Sequence, residues 1–166
     1  MNILRHVNLN RIFFVDIETV SGHATHGELS EVHTLLWEKF CAKRHHKELE
    51  AGQTHAELYP NAGLYAEFGK IICISVGGLF FDEDDKPHLK VKLLSNDIEL
   101  AILEEFLVII NRYPPGELTL CAHNGKEFDF PYLCRRLMAN GLPLPPALQI
   151  AGKKPWEITH KDTLEH

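Results

Sequence analysis

The sequence predicts an α/β domain built on a mixed sheet, and three observations carry that expectation. Apolar runs rich in β-branched and aromatic residues recur at 11–17, 70–81, 88–95 and 118–124, the pattern of buried strands. Segments with helical spacing fall between or after them, at 28–50, 97–112 and 130–140. One neighbouring pair of strands is joined by the acidic turn "DEDDKP", whereas the others are joined through helices. Connections through helices imply parallel pairs and the hairpin supplies an antiparallel pair, so the sheet is mixed.

Taken in order, "RIFFVDI" reads as a central strand ending in carboxylates. A helical insertion over 21–69 follows. In it, Leu29, Val32, Leu35, Leu36 and Phe40 mark the apolar face of a helix, with Ser30 as its cap. The rest, "QTHAELYPNAGLYAEFG", is irregular or partly helical, punctuated by Pro60, Gly63 and Gly69. "KIICISVGGLFF" and "HLKVKLLS" form the hairpin. The next helix has Asp97 near its start and closes at "YPPGE". "LTLCAHN" is a short strand, and the helix after it carries Pro131 in its first turn and Gly141 as its stop. "LPLPPAL" is a loop, and "WEITHKD" supplies a fifth strand. This order is a ribonuclease H-like α/β layout.

At 166 residues, with 45% hydrophobic and 24% charged, the chain suits one globular domain with a real core. Its four cysteines, Cys41, Cys73, Cys121 and Cys134, are widely spaced and read as free thiols of a reducing compartment. No apolar run approaches the ~20 residues of a membrane span, and the amino terminus lacks the layout of a signal peptide, so a cytoplasmic protein is expected. The net charge of -6 argues against DNA binding through a broad basic surface. It leaves room for a nuclease, because a site for divalent cations must itself be acidic. The 11 histidines are scattered among charged residues, and no pair has zinc-ligand spacing.

Two constellations carry chemistry. In "FFVDIETV", Asp16 and Glu18 lie two apart on a strand and so project from one face. Two carboxylates so close repel unless a cation neutralises them, and hard oxygen donors favour Mg²⁺ or Mn²⁺. A strand end emerging into water would explain the same pair. The second constellation is "HNGKEFDFPYLCRRL" after a short buried strand. Alone, Asp129 there reads as a carboxylate at a helix N-terminus, Asn124 as a turn former beside Gly125, and Phe128, Phe130 and Leu133 as core.

Together the two segments resemble a known family. "FVDIET" is similar to the first exonuclease motif of the DEDD superfamily, and "AHNGKEFDFPYLCRR" to the second. The second motif's Pro-Tyr-Leu and arginines, with "YAEFGKIICISVGG" between the motifs, most resemble the proofreading domains of family B DNA polymerases and their stand-alone bacterial relatives. The resemblance spans roughly residues 11–163. It implies 3'–5' hydrolysis of phosphodiester bonds at nucleic-acid 3' ends, mainly single-stranded DNA, with RNA also admitted. It further implies that Asp16, Glu18 and Asp129 bind two Mg²⁺ or Mn²⁺ ions about 4 Å apart. One ion would activate the attacking water and the other would stabilise the leaving 3' oxygen. By the same resemblance Glu18 also touches the terminal 3' hydroxyl, Thr19 lines the terminal nucleotide, and Asn124 and Phe128 orient the strand behind it. Arg135 and Arg136 either reach phosphates or are solvated helix charges.

The match is incomplete. The family's third motif, a Tyr or His followed closely by a fourth metal-binding Asp, has no counterpart after Asp129. "HKDT" resembles the end of the family's last strand, so His160 and Asp162 are given no catalytic role. The terminal "LEH" reads either as that strand's continuation or as the start of a purification tag. The expectation is therefore a single exonuclease domain lacking its C-terminal part, with activity reduced or lost in this chain. The alternative is a ribonuclease H-like module that binds nucleic acid or protein without catalysis, whose expected sign would be a lost carboxylate.

Overall fold

The first strand, β1 (Ile12–Ser21), shows how the fold sorts its residues. Strand geometry sends alternate side chains to opposite faces, so Phe13, Val15 and Ile17 are buried while Asp16 and Glu18 face solvent. The computed structural model describes residues 9–114 and 116–165. Within them the chain divides after Glu18 and after Ile71, with Thr19–Ile71 forming one compact unit and the flanking segments another.

In the Thr19–Ile71 unit, Ser30 caps α1 (Glu31–Arg44) by accepting a hydrogen bond from the His33 N–H. The single helix expected over 28–50 breaks at His45, whose φ of -125° and ψ of 30° leave the helical region, and α2 (His46–Glu50) follows. The break turns the His45 ring toward Trp37, Phe40 and Tyr65, where its Nε2 pairs with the Tyr65 hydroxyl at 3.1 Å. A reciprocal capping box of Thr54 and Glu57 starts α3 (His55–Leu58), and a 3-10 turn runs on through Tyr59–Leu64. Trp37, Cys41, Leu58, Tyr59 and Ala62 make the core of this unit, with Phe40, Tyr65 and Phe68 packed against it.

The expected apolar face of α1 holds only at its edges, where Leu29 and Phe40 pack against this core, and fails between them. Val32, Leu35 and Leu36 are 65%, 56% and 49% exposed, whereas Trp37 and Cys41, one turn apart, are fully buried. The aromatic cluster supplied by the second half of the unit sets which face is inside.

In the other unit, β2 (Gly69–Phe81) and β3 (Pro87–Ser95) pair antiparallel from Cys73 opposite Ser95 to Phe81 opposite Pro87. Asp82 ties their turn by accepting from the Asp84 and Lys86 N–H groups. The helix expected over 97–112 forms as α4 (Glu99–Ile110), its start held by Asn96, whose side-chain oxygen accepts from the Ile98 N–H. The short strand β4 (Thr119–Ala122) runs parallel to β1. Next comes α5 (Asp129–Ala139), which buries Phe130, Leu133 and Leu137 at helical spacing. It ends in a Schellman motif at Gly141, whose φ is +70°. The Leu142 N–H reaches the Leu137 carbonyl and the Gly141 N–H the Met138 carbonyl. The fifth strand is only the two residues of β5 (Lys161–Asp162), parallel to β4.

The sheet order is β3-β2-β1-β4-β5, with two parallel pairs and an antiparallel hairpin. A five-stranded mixed sheet with flanking helices is the ribonuclease H-like α/β fold that the sequence predicts. Glu99 and Arg136 join α4 to α5 through paired guanidinium–carboxylate bonds at 2.8 and 2.5 Å. The four cysteines are all free thiols, three of them buried. Among the described residues no helix is long and apolar enough to cross a membrane.

Candidate functional site

Asp129 is the chemical centre of the unit. It opens α5, is 3% exposed, and instead of only lying along its own helix it accepts a hydrogen bond from the Ile17 N–H at 3.1 Å. That bond bridges 112 residues of sequence and brings the carboxylate to the strand that carries Asp16 and Glu18. Burial pushes the Asp129 carboxyl up to about 6. The Ile17 N–H works against that rise and the charge of Asp16 adds to it. Asp16 and Asp129 therefore feel one another at the middle of β1.

Glu18 projects from the same face of β1 as Asp16. Both act on one neighbour: burial holds the Cys73 thiol above its ordinary range against a hydrogen bond from Ser75, and Glu18 and Asp16 push it further in the same direction. Among the described residues no three His, Cys, Asp or Glu side chains are drawn together tightly enough to form a metal cage. The donor chemistry suits a hard divalent cation all the same. It is all oxygen, and it includes a buried carboxyl whose raised affinity for a proton, set by burial and by a second carboxylate, is what a cation would relieve.

The turn between β4 and α5 presents the second constellation. Asn124 adopts the left-handed conformation, φ +59°, which asparagine tolerates better than most residues. Gly125 beside it has no room for a side chain, since a Cβ there would lie 2.4 Å from the Ala122 Cβ and 2.9 Å from the Phe130 ring. Phe128 is half-buried, with its ring 5.4 Å from that of Tyr132. It is thus core on one side and accessible on the other. Arg136 is engaged by Glu99, which removes it as the phosphate contact the sequence allowed, while Arg135 is exposed.

Thr19 lies in the Thr19–Ile71 unit and lines a cavity of about 590 Å³ with Ser21, His23, Asn61, Leu64 and Lys70. Its wall is tied by the Ser21 hydroxyl donating to the Tyr59 carbonyl and by the His23 N–H donating to the Tyr59 hydroxyl. Lys70 is a cation in this lining, which contains no carboxylate.

Two polar residues whose placement the sequence did not foretell are buried near the second constellation. His160 accepts from the Leu120 N–H through Nδ1 and donates from Nε2 to the Ala147 carbonyl at 2.7 Å, so it is a satisfied core histidine in one tautomer. Burial lowers its affinity for a proton. Asp162 is 3% exposed and accepts from three backbone N–H groups, of Asn124, Lys126 and Leu164. Burial opposes its ionisation, but those donors and the Lys126 charge prevail and hold it below the ordinary carboxylate range.

No curated protein matches the chain. The family described as "DNA polymerase family B, exonuclease domain" matches residues 56–159, well over half of the sequence. The matched span begins after Asp16 and Glu18 and includes Asn124, Phe128 and Asp129. With the ribonuclease H-like sheet and the Asp129 bridge to β1 in place, the chain belongs to the exonuclease domain family of the family B DNA polymerases.

Proposed function

We propose that this protein is a metal-dependent 3'–5' exonuclease that removes nucleotides from the 3' ends of nucleic acid, single-stranded DNA first among them. The observation that carries the reading is the long-range bond from the Ile17 N–H to Asp129. In it a buried carboxyl with raised proton affinity is bonded to β1 at Ile17, the residue between Asp16 and Glu18, and this supports the reading. Such a pairing costs stability, and a cation site is a physical reason to keep it.

In this reading Asp16, Glu18 and Asp129 hold Mg²⁺ or Mn²⁺, which when bound would polarise a phosphate oxygen and make water a better nucleophile. The chain's own residues do the rest. Burial keeps the Asp129 oxygens out of bulk water, and the Ile17 N–H fixes their direction. Asn124, held in a left-handed turn, offers its side-chain amide to the strand behind the terminal nucleotide. The accessible side of the Phe128 ring offers a stacking surface for a base. Thr19, the residue after Glu18 on β1, lines the terminal nucleotide. Free thiols at all four cysteines suit a cytoplasmic setting.

The test is digestion of single-stranded DNA by the native protein with Mn²⁺, using parallel 5'-labelled and 3'-labelled strands. The expected result is a ladder shortening from the 3' end with release of nucleoside 5'-monophosphates. It should fall ~100-fold or more in Asp129→Asn, because a metal ligand supplies several kcal/mol of charge stabilisation. Intact DNA with wild-type protein, or equal cleavage by the variant, contradicts the proposal and favours a binding module.

A further inference from the structure

Asp162 holds more of the second constellation than its place in a two-residue strand suggests. Its Oδ1 accepts from the Asn124 N–H at 2.8 Å and the Leu164 N–H at 3.0 Å, and its Oδ2 accepts from the Lys126 N–H at 3.0 Å. The two N–H groups on the far side of the sequence gap bracket Gly125, the position where no Cβ fits. The carbonyls of the same turn point onward, since Asn124 O accepts from the Phe128 N–H and Gly125 O from the Phe130 N–H, both at 2.9 Å. Those two N–H groups flank Asp129 on either side. One carboxylate thus grips the turn by its donors, and the turn grips the start of α5 by its acceptors.

Side chains close the same contact from outside. The Lys126 ammonium, itself nearly enclosed, pairs with Glu165 at 2.8 Å. His123 Nδ1 meets the Thr163 hydroxyl at 2.9 Å. Apart from the Leu164 bond, these links join residues 123–126 to residues 162–165, which lie 36 to 40 positions apart in sequence.

We infer that Asp162 is a positioning residue, which through the 124–126 turn sets where Asp129 stands relative to β1 and so tunes the cation site. The inference rests on the proposed metal-binding role of Asp129. Its physical basis is that outer partners orient inner ligands, and that losing one typically weakens metal binding ~10- to 100-fold. Asp162→Asn keeps the shape but turns one acceptor into a donor facing an N–H group, which breaks one of the two holds on the turn.

The experiment uses two readouts on the full chain. Amide hydrogen exchange should quicken ~10-fold or more at Asn124 or Lys126 and at Phe128 and Phe130 in Asp162→Asn, with Phe13 and Phe14 unchanged. Mn²⁺ titrated by calorimetry should bind ~10-fold more weakly to the same variant. A stability-matched core variant, Phe106→Leu in α4, should keep wild-type Mn²⁺ affinity, which separates positioning from general loosening. Lys126→Met, which removes only the outer clasp, should shift both readouts in the same direction by less, and it carries the test if Asp162→Asn does not fold. Wild-type exchange and wild-type affinity in the variants overturn the inference, as does an equal loss of affinity in Phe106→Leu. If wild-type protein binds no Mn²⁺, the reading of Asp129 as a ligand fails by itself, and the exchange data alone then decide whether Asp162 positions the turn.

Discussion

Asp129 is a residue that the fold holds at a cost. Its carboxyl rises from 3.8 to about 6 on folding, so between those values the unfolded chain has given up a proton that the folded chain keeps. Stability from this group is therefore greatest below about pH 4, falls as pH rises through about 6, and stays lower beyond it. The shift corresponds to roughly 3 kcal/mol in metal-free protein. Asp129→Asn, which keeps an acceptor for the Ile17 N–H, should raise the melting temperature at pH 8 and leave it nearly unchanged at pH 4. Thermal melts across that range check it, and a variant less stable than wild type at pH 8 would sink the assignment. In the sequence Asp129 alone reads as a helix-start carboxylate, and only the motif as a whole raises it above that. The bridge to Ile17 could not be seen, because a backbone donor 112 residues away leaves no mark on the spacing. Asp16 and Glu18 were legible for the opposite reason: their face follows directly from strand alternation.

At the scale of elements, α1 shows where periodicity misleads. Val32, Leu35 and Leu36 have helical spacing yet face solvent, because the rings of Tyr59, Tyr65 and Phe68 pack against the side bearing Trp37 and Phe40. Which of two apolar sides is buried depends on what arrives to cover it. Trp37→Ala should cost roughly 3–5 kcal/mol of stability, whereas Leu35→Lys and Leu36→Lys should each change it by no more than about 0.5 kcal/mol. Denaturant unfolding distinguishes the two cases, and a large loss in the lysine variants would show that the outer face is covered in solution. The strands and their hairpin were readable from composition and from the "DEDDKP" turn. The fifth strand shrank to Lys161–Asp162 because the residues before it form a 3-10 turn at Pro155–Glu157.

For the whole molecule, charge decides how nucleic acid can be held. A net charge of -6 gives a weak or repulsive general field toward phosphate, so in the proposed reading bound divalent cations carry the attraction. Binding of single-stranded DNA should accordingly fall ~10-fold or more when EDTA replaces Mg²⁺, as read by fluorescence anisotropy. Equal binding in EDTA would point to a basic surface and away from a metal-centred site. The mixed sheet and its order of helices were legible in the sequence because β1 to β4 announce themselves by composition. The latch between the β4–α5 turn and Asp162 was not, because "HKDT" is too short a run for composition to separate a buried carboxylate from a solvated one. The central claim is that Asp16, Glu18 and Asp129 act together on a divalent cation. Calorimetric titration of Mn²⁺ into wild type, Asp16→Asn, Glu18→Gln and Asp129→Asn tests it most directly. The account predicts saturable binding in wild type that weakens ~10-fold or more in each variant, and binding that is absent in wild type or unaffected by all three substitutions would contradict it.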